Sequence, residues 1–453
     1  MPDSVYNGGV FIGRFVRGIF GWEQWAMKCK FLTSLMWMLC VCLASAQAAE
    51  PAKDSWPQWG GPNRDHKSLS TGLMQEWPEE GPKLLWKLDT AGMGYSSLAV
   101  SEGRGYLLGS KDGENFAFCI DAATGKELWR TTTGEAVSDK AYNSGWGTGP
   151  RSTPTVLADR VIVLDDAGNC CSLKKEDGKL QWKRNLISEL GGSMPKWGFS
   201  ESPLVDGQHV VVTPGGEKFL TALDLDTGEA VFNSTGYDQA PHYVSVIKHA
   251  IDGIDCYTTA SGKGLVSFAV DDGRVLWTNG KTGAGTATIP TPIIKGNYVY
   301  HTAAYDTGCV LMKLAAKGKE VVAEEVYANT NQMNHHGGVV LVDNNIFGFK
   351  SKGGWVVQDF MSGEVKWQGR IDKETGGSVA FADGRLYVYG EANGNCYLVQ
   401  PSADEWIVKG QVALPATSQL DRGRGKIWAH PVIAEGKLFL RDLDLLYAFD
   451  IKK

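Results

Sequence analysis

The sequence predicts an all-β fold: an eight-bladed β-propeller of four-stranded antiparallel blades, closed by an N-terminal strand that completes the last blade. Three observations predict it. A Gly-x-x-x-aromatic signature recurs along the chain, at Gly125–Trp129, Gly178–Trp182, Gly228–Phe232, Gly273–Trp277 and Gly363–Trp367, with aromatic steps of 53, 50, 45 and 90 residues. Each period holds four short apolar runs, the make-up of a propeller blade. An orphan strand ahead of the first repeat matches the one missing from the last. Composition agrees: glycine supplies 56 of 453 residues, above its usual share of about 7%, and only 21% are charged, which suits short strands and turns.

Residues 1–48 are expected to lie outside the fold, as an N-terminal extension and signal peptide. Lys28 and Lys30 precede an apolar run from Phe31 to Leu43, and Ala44-Ser45-Ala46 and Ala46-Gln47-Ala48 offer small-x-small cleavage sites. Met27 is a plausible true start. The run falls short of the roughly 20 residues of a membrane span, so the mature chain is expected to be periplasmic or secreted, without a span. Residues 49–82 form a lead-in, and residues 83–453 the propeller.

Lys83 to Leu88 is the orphan fourth strand, with Trp86 in the place later held by Trp129. Eight units follow, beginning near residues 97, 152, 201, 244, 290, 336, 376 and 429. Ser/Thr/His-Pro or Gly-Gly opens most of them, as at Thr153-Pro154, Gly337-Gly338 and His430-Pro431. Proline is tolerated where an innermost strand is a free edge. A degenerate copy of the signature falls near Gly318–Val322 and a weaker one near Trp406. The eighth unit stops after Tyr447-Ala448-Phe449-Asp450, lacking its fourth strand. The recurrent tryptophans are expected to pack between blades, where an aromatic side chain buries roughly 150–250 Å². The turn glycines are expected at positive φ.

The formal net charge of −6 argues against nucleic acid, which requires a basic face. In this strand order the loop into strand one and the loop after strand two share a top face, and binding residues concentrate on such loops. Three of these loops are long: 131–151, 185–201 and 410–429. They carry Tyr142, Asn143, Trp146, Arg151, Lys196, Trp197, Arg422, Arg424, Trp428 and His430, and a further cluster runs from Asn331 to Asn334, His335 and His336. Trp146, Arg151, Trp197, Asn334, His335, His336, Trp428 and His430 form the candidate top-face ligand site, with bracing of the loops as the alternative. A tryptophan and an arginine facing the channel mouth suit a planar anionic ligand. No metal site is expected, since adjacent strand residues such as His335 and His336 diverge. Cys170 and Cys171 read as two separately buried thiols for the same reason. No Cys-x-x-Cys-His, Gly-x-Ser-x-Gly or His-Glu-x-x-His occurs, and no catalytic pair stands out among Asp165, Asp166, Asp306, Asp383 and Glu391.

Cys119-Ile-Asp121-Ala-Ala-Thr124-Gly125-Lys-Glu-Leu-Trp129, and Ala222-Leu-Asp224-Leu-Asp-Thr227-Gly228 to Phe232, resemble the tryptophan-docking motif of quinoprotein dehydrogenase propellers. Over residues 83–453 the chain resembles the broad pyrroloquinoline-quinone-like propeller-repeat family, and Trp56–Arg64 is similar to a segment that precedes such propellers in exported bacterial proteins. That family includes alcohol-oxidising quinoproteins and a non-catalytic propeller that helps insert outer-membrane proteins. Some of those quinoproteins hold a vicinal disulfide beside the cofactor, but Cys170-Cys171 starts a third strand, a different place. The resemblance implies three readings. The first is a monomeric scaffold in the cell envelope, binding an envelope protein, a small molecule or a glycan at the top face. The second is a dehydrogenase using pyrroloquinoline quinone and Ca²⁺ on an alcohol, polyol or sugar, with Trp428, Trp197 or Trp146 stacking and Arg151 pairing a quinone carboxylate. The third is a polysaccharide-binding or -cleaving propeller. No cofactor is assured by the residues alone.

Overall fold

The computed structural model describes residues 54–137, 142–374 and 376–453; the signal-peptide expectation lies outside the described residues. Thirty-two strands form eight four-stranded antiparallel sheets. Innermost strands begin at Ala99, Thr155, Leu204, Ile247, Ile293, Val339, Gly377 and Val432, within a few residues of each expected start. The last sheet runs Val432–Ala434, Lys437–Asp442, Leu445–Asp450 and then Leu84–Leu88. Trp86 pairs with Ala448 and Leu84 with Phe449, so the N-terminal strand closes the ring. No helix among the described residues is long and apolar enough to cross a membrane.

The repeat signature is explained by what each residue does at the blade junction. Asp121 Oδ1 accepts from the Thr124 amide at 2.8 Å and its hydroxyl at 2.7 Å, and Asp224 holds Thr227 in the same way. This Asx geometry fixes the turn into the outer strand. Gly125, Gly178 and Gly228 follow at φ of 73°, 73° and 70°. A Cβ at these three would also press into the indole of Trp86, Trp129 and Trp182. Each of those tryptophans belongs to the preceding blade. Its Nε1 donates to a turn carbonyl of the next: Trp86 to Ala122 at 3.2 Å, Trp129 to Lys175 at 3.2 Å, Trp182 to Leu225 at 2.8 Å. The period is thus a docking interaction repeated around the ring. In all eight sheets the register of the outer pair shifts by one residue beside this position, a bulge that re-aims the side chain.

Blade five departs from the pattern. Its outer strands, Gly308–Lys317 and Glu320–Asn329, join through a tight turn at Gly318, φ 65°, without the Asp-x-x-Thr loop. Val321 is buried there and Val322, the position expected to stand for the aromatic, is exposed. The docking role passes to Tyr327, whose hydroxyl donates to Phe360 O at 2.9 Å and whose ring lies where a Cβ on Gly363 would be. Trp277, facing the shortened turn, buries an Nε1 with no partner among the described residues. Trp406 precedes its outer strand and packs edge-on against Trp355 of the blade before.

The lead-in enters the central channel. Trp56 exchanges backbone hydrogen bonds with Val100 of blade one, and Pro57 O accepts from Val156 of blade two. Arg64 donates to Ser202 O and Pro203 O at blade three, and Trp59 Nε1 to Thr291 Oγ1 ahead of blade five. Ser68 bonds Phe381 O of blade seven and Ile433 O of blade eight. Residues 56–68 therefore plug the channel and satisfy polar groups on inner strands that would otherwise lack partners. The chain then crosses the face opposite the long loops, where Leu73 N meets Asp383 Oδ2, and adds the outer strand of blade eight.

Candidate functional site

The plug turns the channel into a cup. Above it lies a cavity of about 530 Å³, with Trp59 of the plug on its floor. Its walls carry six further aromatic rings: Tyr95, Trp146, Trp197, Tyr243, Tyr305 and Trp428. Seven of the eight candidate residues line it, namely Trp146, Arg151, Trp197, His335, His336, Trp428 and His430. Asn334 does not; it lines a neighbouring space of about 150 Å³ together with Glu391, Lys426 and both histidines. Trp59, Tyr95, Tyr243 and Tyr305 were not among the expected site residues. They sit in non-repeating loops, and the fixed spacing of Trp56-Pro57-Gln58-Trp59 was the one signal available for Trp59.

The loop from Tyr142 to Arg151 is built on a buried carboxylate. Asp166 Oδ1 accepts from Asn115 Nδ2 and Oδ2 from the Tyr142 hydroxyl, both at 2.7 Å. Asn143 N bonds Lys196 O and Arg424 N bonds Gly145 O, which ties three loops together. Arg151 donates to Gly147 O at 2.8 Å and Gly149 O at 3.2 Å, and its guanidinium lies 5.5 and 5.7 Å from the rings of Tyr95 and Tyr142. It braces its own loop and also lines the cavity, as does Lys196. Trp146 stacks near Trp428 at 6.5 Å and 21°, with Arg424 5.9 Å from its ring. Arg422 is drawn away to Asp442, at 2.9 Å. Lys196 Nζ lies 4.8 Å from the Trp197 ring.

The histidines lie between plug and blades. His66 and His430 stack at 5.2 Å and 23°, and Trp59 meets both edge-on. His430 Nε2 contacts His336 O at 3.2 Å. Burial pulls the His66 imidazole down to about 4, with Arg64 adding to the effect, and His336 down to about 3 despite the carboxylate of Glu391. Burial also holds His430 well below the ordinary value. These rings are neutral at physiological pH. The Tyr305 hydroxyl and His335 Nε2 are 2.9 Å apart. Glu391 takes Lys426 at 2.5 Å and Trp428 Nε1 at 3.2 Å.

Cys170 and Cys171 are both buried free thiols, in different clusters. Cys171 packs between blades one and two with Trp129, and Cys170 between blades two and three with Trp182. Among the described residues, no group of three or more His, Cys, Asp or Glu side chains is placed to hold a metal ion.

A closed eight-bladed ring with interblade indole docking and an aromatic cup at its mouth defines the class of PQQ-like propellers. The family model described as outer membrane protein assembly factor BamB matches residues 78–189 and 118–368, and the chain belongs to that family. Among solved structures, it is similar to BamB from Moraxella catarrhalis (14% identity, 82% of this chain and 97% of that one, TM-score 0.55). It is also similar to the quinohemoprotein alcohol dehydrogenase from Comamonas testosteroni (12% identity, 89% and 82%, TM-score 0.64). A third is the computationally designed Ika8 protein (12% identity, 82% and 100%, TM-score 0.53). At these identities the likeness is one of fold. No curated protein matches the chain by sequence.

Proposed function

We propose that the protein is an exported binding propeller of the cell envelope whose cup takes a small ligand with a flat or ring-shaped body and an anionic group. One observation carries this. The eighteen residues lining the cavity include seven Trp or Tyr rings and the cations Arg151 and Lys196, and no carboxylate. Rings offer stacking area, and the two cations favour an anion over a neutral or cationic ligand. The volume falls within the roughly 300–1,000 Å³ of small-molecule sites. Membership in a family described by outer-membrane-protein assembly supports a binding role in the envelope.

The dehydrogenase reading asks the same cup to hold pyrroloquinoline quinone beside Ca²⁺. The rings and cations suit the quinone. Calcium takes six to eight oxygen ligands, usually with carboxylates among them, and the lining supplies hydroxyls and one asparagine only. The residues do not fit the metal, and no oxidation is derived through it. Polysaccharide cleavage would need two carboxyl groups across the bond, which the lining also lacks.

The test is a fluorescence titration of the protein with 1-naphthoate, an aromatic carboxylate. Saturable quenching is expected, weakened at least tenfold by Trp146→Ala and by Lys196→Ala. Quenching that neither substitution changes, or no binding at millimolar naphthoate, would overturn the proposal. Pyrroloquinoline quinone with and without Ca²⁺, with dye-linked alcohol oxidation scored in the same samples, addresses the second reading: Ca²⁺-dependent binding with turnover would favour it over ours.

A further inference from the structure

The smaller space beside the cup has its own chemistry. It measures about 150 Å³ and shares only His335 and His336 with the larger cavity. Asn334 is buried, with 1% of its surface exposed. Its amide nitrogen donates to Phe349 O at 2.9 Å and its backbone N to Thr302 Oγ1 at 3.2 Å, while its Oδ1 has no partner among the described residues. His336 carries a buried Nε2 with no partner among the described residues. Its Nδ1 stands 3.7 Å from Glu391 Oε2 and 3.3 Å from His335 Nδ1; assigning the proton to Nδ1, towards the carboxylate, leaves a lone pair on Nε2. Two buried acceptors thus border these spaces, and a buried polar atom without a partner carries a desolvation cost. A donor from a ligand removes that cost.

The donor need not be charged. Glu391 is paired with Lys426 at 2.5 Å, and burial, with Glu391 adding to it, raises the nearby Glu374 carboxyl towards its neutral form, so little uncompensated negative charge is left to favour an ammonium group. Neutral hydroxyls are the donors that fit. Gly376 and Gly377 form part of its wall, and a Cβ on Gly376 would press on the Glu391 carboxyl at 2.7–2.9 Å, so glycine lets the carboxylate lie close against the backbone there and a side chain would push it into the space.

We propose that this space is a hydroxyl-binding subsite of the cup, and that the ligand is an acidic carbohydrate. Its ring faces lie against the indoles, its carboxylate or sulfate is held by Arg151 and Lys196, and its hydroxyls enter the subsite past His335 and His336. The inference rests on the binding role proposed above and narrows it to a ligand class. It also says that the ligand must be bifunctional: an aromatic acid fills only the cup.

The test compares two probes by calorimetry, digalacturonate and 1-naphthoate, on the full protein and on Ser351→Phe and Gly376→Ala. Ser351 lines the subsite from a half-buried position, so these substitutions fill it from two sides, and circular dichroism confirms that each variant is folded. Digalacturonate should bind more tightly than naphthoate, and lose at least tenfold in both variants while naphthoate is unchanged. Digalacturonate binding that both folded variants leave intact overturns the subsite, and naphthoate binding without digalacturonate binding overturns the carbohydrate class. In both cases the binding cup stands. Failure of both probes overturns the cup itself. Triglutamate, an acidic peptide without hydroxyls, binding as tightly and with the same sensitivity to the variants would replace carbohydrate by peptide and overturn the ligand class.

Discussion

His66 of the plug stacks on His430 of the last blade, 5.2 Å between ring centres and 23° between planes. Both imidazoles are buried, and burial keeps both neutral. His66 takes a positive φ of 60°, a conformation that asparagine also tolerates. The pair locks the lead-in to the ring and supports the floor of the cup.

The pH dependence of stability follows from that burial. An unfolded histidine takes up its proton near 6.5, and His66 in the fold does so near 4. The unfolded state therefore binds more protons between these values. The stability contributed is fully present above about pH 6.5 and is lost as pH falls towards 4, on the order of 3 kcal/mol for this residue. Glu201 acts in the opposite direction: burial pushes it up to about 7, so its contribution is lost as pH rises from about 4.5 through 7. His242, His249 and His301 are pulled down to about 4 in the same way, so urea denaturation across pH 4–8 should give a dome, and His66→Asn should lessen the steepness of its acid side while leaving the alkaline side unchanged.

Two tryptophans in equivalent positions should respond differently to the same change. Trp182 donates to Leu225 O at 2.8 Å, and Trp277 has no partner for Nε1 among the described residues. Replacement by phenylalanine removes the same atoms from both, but only Trp182→Phe breaks a hydrogen bond and orphans a carbonyl. Its loss of unfolding free energy should exceed that of Trp277→Phe by about 1 kcal/mol, read from urea midpoints.

Arg441 should be among the most sensitive positions in the ring. It is buried and donates to Leu443 O and Ser96 O at 2.7 Å, Leu108 O at 2.8 Å and Gly92 O at 3.1 Å, bridging the last blade to the first. Arg441→Met strips donors from several buried carbonyls and should destabilise by more than about 3 kcal/mol. Arg441→Lys cannot reproduce the planar fork and should also lower the melting temperature.

The thiols give a simple check on the blade interiors. All six described cysteines are free and buried, and burial raises the thiols of Cys119, Cys170, Cys171, Cys256 and Cys396 above their usual range. A thiol reagent should find them unreactive in native protein and fully reactive in denaturant. Mass spectrometry should find no Cys170–Cys171 disulfide.

The blades were legible in the sequence because docking repeats: Asp121, Thr124, Gly125 and Trp129 each make one contact that recurs around the ring. The closing strand was legible for the same reason, since Trp86 occupies a repeat position. Blade five was only half legible. Its period persists, but the docking role falls to Tyr327, beyond Val322 where the pattern places it, a shift that the longer hairpin Gly308–Asn329 creates. The cup was legible in outline, since long loops carrying Trp146, Trp197 and Trp428 converge by topology. Its floor was not. Trp59, His66 and Arg64 belong to a lead-in whose contacts reach six different blades, and no local pattern encodes a chain threaded through a channel. Asn334 shows the same limit: its loop was found, but which side of His335 and His336 it serves depends on Phe349 and Thr302.

The pairing of Leu84 with Phe449 has a consequence for how the chain reaches this shape. Seven sheets form from neighbouring segments, yet the eighth joins residues 365 positions apart. Contacts of such long range are late events in folding. During synthesis the early blades can form one by one, while the orphan strand waits for Leu445–Asp450 to emerge. Until the last two blades form, Trp77 lacks Tyr387 and Trp86 lacks Phe439, and the first blade shows an unprotected flank. The nascent propeller is therefore most vulnerable to aggregation just before its last sheet closes, and the emergence of Leu445–Asp450 is the step at which ring, plug and cup are secured together.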